Sequence, residues 1–135
     1  MTFDKNKALA YLFLRASIGL SFFGHGLVRI PKLFVFRDWM VGSFAKSMLP
    51  EPITYAFATI LPFAELLIGL LIISGWRIRI GLLSGAILVC TLIFGSCLIE
   101  NWEAVSAQLI YAIILFVLLC FAEHNRYAFG SKISV

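Results

Sequence analysis

Three ionisable side chains interrupt stretches of the sequence that are otherwise apolar. Arg15 and His25 lie in the first apolar stretch, and Glu65 lies in the second. An unpaired charge at the centre of a bilayer costs about 2.5 to 3.5 kcal/mol on insertion scales, so Arg15 needs a partner at matching depth. We predict that Glu65 is this partner, either as a buried ion pair that fixes two helices or as part of a proton relay. His25 is either a hydrogen-bonded histidine at the membrane interface or a proton donor to a bound ligand.

The composition places these side chains in a membrane. Apolar residues make up 61% of the chain and charged residues only 13%, against roughly a quarter charged in soluble proteins. Four apolar runs each approach the ~20 residues that a helix needs to cross a bilayer. They cover residues 8–28, 55–75, 78–98 and 104–122. We predict an all-α fold, an integral membrane four-helix bundle in which residues 1–135 form a single domain.

The first run carries a stripe of small and functional residues. Arg15, Gly19, Phe22, Gly26 and Arg29 recur at alternating steps of four and three residues. Residues with this spacing share one face of a helix. We expect the face to point into the bundle, where its glycines allow a neighbouring helix to approach closely.

The connection between the first two runs is long and contains its own apolar stripe. Phe36, Met40, Phe44 and Met48 fall four residues apart, and polar side chains take the opposite side. This pattern predicts an amphipathic helix in the headgroup region. The helix is either an interfacial anchor, with Trp39 at the membrane surface, or a lid over a pocket between the spans.

Basic residues indicate an orientation. They flank the first run at Lys5 and Lys7, separate the second and third runs at Arg77 and Arg79, and follow the fourth at Arg126 and Lys132. The positive-inside rule then predicts that both termini are cytoplasmic. Because these charges lie at helix ends next to the membrane, we expect no nucleic-acid partner. The three cysteines lie inside the runs without metal-ligand spacing, so we predict neither a disulfide framework nor a metal site.

Several short motifs resemble one family. They are Arg15-x-x-x-Gly19, His25-Gly26-x-x-Arg29, Pro62-x-x-Glu65-x-x-x-Gly69 and Gly75-x-Arg77. Together they resemble the DoxX/DoxD family of four-span bacterial membrane proteins. The resemblance implies a membrane subunit of a redox system, similar to the small membrane subunit of thiosulfate:quinone oxidoreductase, in the bacterial cytoplasmic membrane. It also implies that Arg15, His25, Arg29 and Glu65 are the functional positions.

These expectations combine into one functional hypothesis and one alternative. In the first, the chain passes electrons from a thiosulfate-like or thiol donor to a quinone in an apolar pocket. Glu65, Arg15 and His25 would be catalytic, and the binding residues would be His25, Arg29, Phe22, Phe23 and Trp39. No covalently bound cofactor is expected. In the alternative, the chain is a non-catalytic membrane anchor for a soluble oxidoreductase. Either hypothesis involves lipid contact and a partner subunit or a second copy of the chain.

Overall fold

Five helices account for most of the chain. The computed structural model describes residues 2–130, so Lys132 lies outside the described residues. The helices are α1 (Thr2–Arg29), α2 (Leu33–Phe44), α3 (Glu51–Ser74), α4 (Ile78–Leu98) and α5 (Trp102–Cys120). Short 3-10 turns cover Ile30–Lys32 and Ala122–His124. No strand occurs within residues 2–130. The all-α prediction is confirmed.

Four segments of the described chain are long and apolar enough to cross a membrane. The first, Asp4–Phe44, contains most of α1 and all of α2, and the other three are α3, α4 and α5. The protein is therefore a multi-pass membrane protein whose outward apolar side chains contact lipid. The helices extend beyond the predicted runs at several ends, most of all in α1, which begins at Thr2 instead of residue 8. Polar residues continue a helix beyond the bilayer, and hydropathy alone does not detect this extension.

Local sequence sets where the spans begin and end. Proline in the first turn suits the start of α3, and Gly75 ends that helix in the left-handed conformation at φ 70°, which glycine adopts at little cost. The Asn101 side chain caps α5 by accepting a hydrogen bond from the Ala104 backbone N–H at 3.1 Å. The short connections on either side of α4 make α3, α4 and α5 successive antiparallel neighbours.

The glycine stripe of α1 faces α3, as predicted. A Cβ atom at Gly26 would lie 2.5 Å from the Pro62 carbonyl oxygen, and one at Gly19 would lie 3.0 Å from the Ile73 backbone nitrogen. Gly69 of α3 meets the backbone of Phe23 in the same close manner. Only residues without a side chain permit this approach, so the glycines fix the register between the two antiparallel helices.

The bundle has one side that carries the N-terminal end and one side that carries α2. We call them the terminal side, which includes the α3–α4 turn and residues 122–130, and the α2 side, which includes the α4–α5 turn. The main core contains Phe22, Ile72, Leu82 and Leu118. On the α2 side, Met40 packs with Ala58 and Leu61 in a smaller cluster.

The predicted amphipathic helix exists, with a different end. Phe36, Met40 and Phe44 pack inward from α2, whereas Met48 lies beyond the helix and is 82% exposed. Trp39 is largely exposed but also lines the cavity described below. The helix therefore covers a space between the spans while presenting an aromatic side chain outward.

Candidate functional site

A cavity of about 480 Å³ opens on the α2 side of the bundle. All five helices contribute to its wall. Most of the lining is apolar, from side chains such as Phe22, Phe57, Leu61 and Val89, and the polar lining is concentrated in a few side chains. An apolar pocket with a few convergent polar groups is the usual form of a small-molecule site.

An ion pair forms one wall of the cavity. Arg29 Nη1 donates to both carboxylate oxygens of Glu65, each at 2.8 Å. The Glu65 side chain is only 5% exposed, whereas that of Arg29 is 26% exposed and lies over the Phe36 ring at 4.5 Å. The guanidinium neutralises a buried carboxylate and still contacts the cavity, so it can also attract an anionic or electron-rich ligand.

The sequence predicted several residues that the structure brings to this wall. His25, Phe22 and Trp39 line the cavity together with Arg29 and Glu65. The His25 Nδ1 atom lies 2.6 Å from the Ser21 carbonyl oxygen within the same helix. In the neutral ring Nδ1 carries the proton and donates a hydrogen bond to the Ser21 carbonyl oxygen, which leaves Nε2 as the unprotonated nitrogen.

Two predicted site residues lie elsewhere. Phe23 does not line the cavity, because its backbone is packed against Gly69 at the α1–α3 contact. Arg15 also lies outside the cavity lining. The predicted Arg15–Glu65 pair is wrong, since Glu65 is paired with Arg29.

Arg15 binds neutral oxygens on the terminal side. Its Nη1 donates to the Asn125 side-chain oxygen, and its Nη2 donates to the carbonyl oxygens of Ile73 at 3.2 Å and Tyr127 at 2.8 Å. Asn125 in turn donates to the Gly75 carbonyl at 3.0 Å. Arg15 therefore joins α1 to the end of α3 and to the segment after α5.

The helix register explains why the predicted pair was wrong. The apolar runs predicted from the sequence begin at residues 8 and 55, and depths counted from these starts put Arg15 and Glu65 at similar levels. In the structure Gly26 lies beside Pro62 and Leu66, so Glu65 is level with the last turn of α1. His25 follows Arg15 by ten residues, about 15 Å along the helix axis, which places Arg15 out of reach of Glu65.

The comparisons with known proteins give one match. The DoxX family model matches residues 10–98. The chain belongs to the DoxX family. Neither the curated proteins nor the solved structures yielded a match. The matched residues run from α1 to the end of α4. In this DoxX chain, the residues of the charged wall, His25, Arg29 and Glu65, therefore all lie within the match.

The opposite wall of the cavity contains polar residues that the functional prediction missed. Gln108 Nε2 of this DoxX protein donates to Ser96 Oγ at 3.0 Å, and both residues line the cavity. Two buried oxygens, Gln108 Oε1 and Thr54 Oγ1, have no hydrogen-bond partner in the described part of the chain. In the sequence, Gln108 and Ser96 are polar residues within apolar spans, and they share this signal with Arg15, His25 and Glu65.

The described part of the DoxX chain contains no cluster of side chains suited to sulfur or metal chemistry. Cys90, Cys97 and Cys120 are free thiols, and none of them lines the cavity. Within residues 2–130 there is no group of three or more His, Cys, Asp and Glu side chains placed to hold a metal ion. The chemistry that this site offers is hydrogen bonding, charge and proton transfer from His25, Arg29 and Glu65.

Proposed function

We propose that this DoxX-family protein is the quinone-binding membrane subunit of a redox system and that the quinone ring occupies the α2-side cavity. One observation carries the proposal. An ion pair, Arg29–Glu65, whose carboxylate is buried, and an imidazole, His25, converge on an aromatic-lined cavity between the helices. A quinone ring needs an apolar slot of this kind with hydrogen-bond donors for its carbonyl oxygens.

Each residue has a separate role in the proposal. The Phe22 and Phe36 rings contact the faces or edges of the quinone ring. Arg29 polarises a carbonyl oxygen while it holds Glu65 in place. His25 takes up a second proton on Nε2, with Nδ1 still bonded to the Ser21 carbonyl, and passes this proton to the oxygen that becomes negative on reduction. Glu65 stabilises the protonated imidazole. The proton relay that the sequence suggested for Arg15 and Glu65 is therefore assigned to His25 and Glu65.

The proposed donor is a small sulfur anion of the thiosulfate or thiol class. Two such anions give up one electron each and join through a new S–S bond. The quinone accepts the two electrons and two protons that come from water, one of them through His25, to become hydroquinone. The positive charge of Arg29 favours the approach of an anion to the cavity. A partner subunit or a second copy of the chain would complete the donor side where this chain does not contact the donor itself.

We also propose that the protein resides in a bacterial cytoplasmic membrane with both termini in the cytoplasm. The terminal side carries Lys5, Lys7, Arg77, Arg79 and Arg126. The α2 side carries Arg29, Lys32, Arg37 and Lys46, but Arg29 is paired there with Glu65 and Arg37 with Asp38, and Glu100 and Glu103 add negative charge near the α4–α5 turn. This asymmetry supports the proposed orientation. A reporter fused to the C-terminal end, active only in the cytoplasm, should be active, and an inactive but expressed fusion would contradict the orientation.

Quinone binding tests the proposed function. The purified protein in lipid nanodiscs is titrated with a short-chain benzoquinone, and we expect saturable binding. His25→Ala should raise the Kd about fivefold, because the hydrogen bond that the protonated imidazole donates from Nε2 to a quinone oxygen is lost. His124→Ala removes the other histidine of the chain, which lies beyond α5 and outside the cavity lining, and should leave the Kd within twofold of the unaltered protein.

The same titration separates the proposed function from its alternative. Absence of saturable quinone binding by the unaltered protein would contradict the proposal and favour the non-catalytic anchor. Equal Kd values for the His25→Ala and His124→Ala variants would remove His25 from the site. Addition of thiosulfate to the quinone-loaded protein, followed by the absorbance of the quinone, tests whether the chain transfers electrons without a partner.

A further inference from the structure

The wall of the cavity opposite the ion pair has an unfinished hydrogen-bond arrangement. Gln108 is fixed at one end because its Nε2 donates to Ser96 Oγ. At its other end, Oε1 is buried and has no partner among residues 2–130. Ser96 is itself only 8% exposed. A buried carbonyl without a partner is costly, so this end of the amide is suited to a ligand in the cavity.

Gln108 lies at the same level of the bundle as His25. The Ser21 and Tyr111 hydroxyl groups are hydrogen-bonded to each other across α1 and α5. His25 follows Ser21 by one turn in α1, and Gln108 precedes Tyr111 by one turn in the antiparallel α5. Both side chains are therefore displaced by about 5 Å from this contact toward the α2 side. They line the same section of the cavity from different helices.

Thr54 does not belong to this section. Its hydroxyl oxygen is buried and also without a partner, but it precedes Glu65 by eleven residues in α3, about 16 Å along the helix axis. One ring that contacts the charged wall cannot span that length. Of the two unpartnered groups, only Gln108 therefore lies at the level of the charged wall.

We infer that Gln108, held by Ser96, binds the second oxygen of the quinone ring and serves the oxidised and reduced forms with opposite ends of its amide. This inference rests on the proposed function of the cavity. With Nε2 on Ser96, as in the structure, Oε1 accepts a hydrogen bond from the hydroxyl of the hydroquinone. With the amide turned over, the Ser96 hydroxyl donates to Oε1, and Nε2 donates to the carbonyl of the quinone. A serine hydroxyl allows both states because it both donates and accepts.

The chemistry of this wall selects a neutral oxygen and not an anion. Gln108 and Ser96 have uncharged polar side chains, and the guanidinium of Arg29 belongs to the other wall. An anionic oxygen placed here would lose its hydration without gaining a cation. The two walls therefore give the ring a direction, with the oxygen that becomes charged during reduction toward His25 and Arg29 and the other oxygen toward Gln108.

Binding of the two redox forms tests the inference. The protein in nanodiscs is titrated under anaerobic conditions with a short-chain benzoquinone and, separately, with its hydroquinone. Gln108→Leu should raise both Kd values about fivefold, because each form loses one hydrogen bond. Ser96→Ala should raise both by a smaller factor, since the amide remains but is no longer held. Ser106→Ala is the matched control in α5, because Ser106 is exposed, bonded to the Trp102 carbonyl and outside the cavity lining.

The outcomes distinguish the inference from the function on which it rests. Binding of both forms by the unaltered protein and by Gln108→Leu with equal affinity would overturn the inference and leave the quinone site in place. A raised Kd for the hydroquinone alone would show that the Gln108 amide does not turn over to bind the quinone. Binding of neither form by the unaltered protein would overturn the inference together with the proposed function. Size-exclusion profiles and melting temperatures of the variants identify any that fail to fold.

Discussion

Two arginines of α1 lie on the same helix face and have opposite surroundings. Arg15, on the terminal side, is 2% exposed and donates only to neutral oxygens, two backbone carbonyls and an amide. Arg29, on the α2 side, is paired with a carboxylate and borders open space. Carbonyl and amide oxygens hold a cation in place but cannot exchange a proton. A carboxylate beside a cavity can hold the cation and can also exchange a proton. Arg15 is therefore structural, and Arg29 belongs to the candidate site.

Glycines make both arrangements possible by different means. At Gly75 a Cβ atom would collide with the Arg15 guanidinium, so this glycine makes room for the cation inside the α3–α4 turn. At Gly26 a Cβ atom would collide with the backbone of α3, so this glycine brings the end of α1 close enough for Arg29 to reach Glu65. The group that occupies the space beside the glycine also distinguishes the two regions. It is a side chain at Gly75 and a helix backbone at Gly26.

The largest effect should come from removing the terminal-side cation. Arg15→Met eliminates the donors of three hydrogen bonds and leaves their acceptors at the end of α3 and after α5 without a partner. Hydrogen bonds to a charged group are worth about 1.5 to 3 kcal/mol each, and partial relaxation recovers some of this loss, so we expect a destabilisation of about 3 kcal/mol. Denaturant unfolding in detergent micelles measures it, and quinone affinity of the folded fraction should be unchanged.

A double-mutant cycle shows whether the two arginines differ as the structure indicates. Glu65→Gln should leave the cost of Arg15→Met unchanged, because the two residues share no contact. The same Glu65→Gln should lower the cost of Arg29→Met, because it removes the carboxylate that would otherwise be buried alone. A measurable coupling between Arg15 and Glu65, with none between Arg29 and Glu65, would reverse our assignment of the two residues.

A smaller effect should follow from filling the close contact on the α2 side. Gly26→Ala places a methyl group 2.5 Å from the Pro62 oxygen and 2.7 Å from the Leu66 nitrogen, both of which are backbone atoms that cannot turn away. Such overpacking costs about 2 kcal/mol. Because the helices must separate one turn from Arg29, quinone affinity should fall as well. The measurements are unfolding in micelles and the Kd in nanodiscs.

Gly24→Ala provides the matched control for this prediction. Gly24 lies two residues from Gly26 in the same helix. Apart from its chain neighbours and the nearby backbone of α1, no described atom lies within 4 Å of the added methyl group. Alanine is favoured over glycine inside a helix by about 0.5 to 1 kcal/mol, so this variant should be slightly more stable and bind quinone normally. Equal destabilisation by the two alanines would mean that helix approach at Gly26 does not position the ion pair.

The sequence predicted the spans and singled out most of the residues that line the charged wall of the cavity, but it did not predict their pairing. Hydropathy placed α4 at its observed bounds, and the spacing of Gly19 and Gly26 correctly indicated the face of α1 that meets α3. The register of two antiparallel helices depends on where close-packed glycines meet the partner backbone, and neither helix contains that information alone. A depth calculated from the ends of the apolar runs therefore assigned Glu65 to Arg15 instead of Arg29.

The wall formed by Gln108 and Ser96 was missed for a related reason. Gln108 is visible in the sequence as a polar residue within an apolar span, but its hydrogen bond to Ser96 joins two helices. A single polar residue within a span indicates only that a partner is required. The identity of the partner and the end of the amide that stays free depend on the packing of α4 against α5.

The smallest predicted effects compare one tyrosine from each side of the bundle. The Tyr11 hydroxyl donates to the Leu118 carbonyl at 3.1 Å in the terminal half. The Tyr111 hydroxyl is hydrogen-bonded to Ser21, and its ring meets the Phe22 ring edge to face at 5.8 Å on the border of the cavity. Each tyrosine to phenylalanine change removes one hydrogen bond and should cost about 1 kcal/mol of stability.

Quinone affinity separates the two tyrosines. Tyr11→Phe should leave the Kd unchanged, because its hydrogen bond only joins α1 to α5 far from the cavity. Tyr111→Phe should raise the Kd about two- to threefold, because the contact with Ser21 sets the positions of both His25 and Gln108 one turn away. Equal binding by both variants, with equal losses of stability, would show that the α1–α5 contact holds the bundle together without positioning the cavity walls, and the difference between the two sides would then be confined to Arg29 and Glu65.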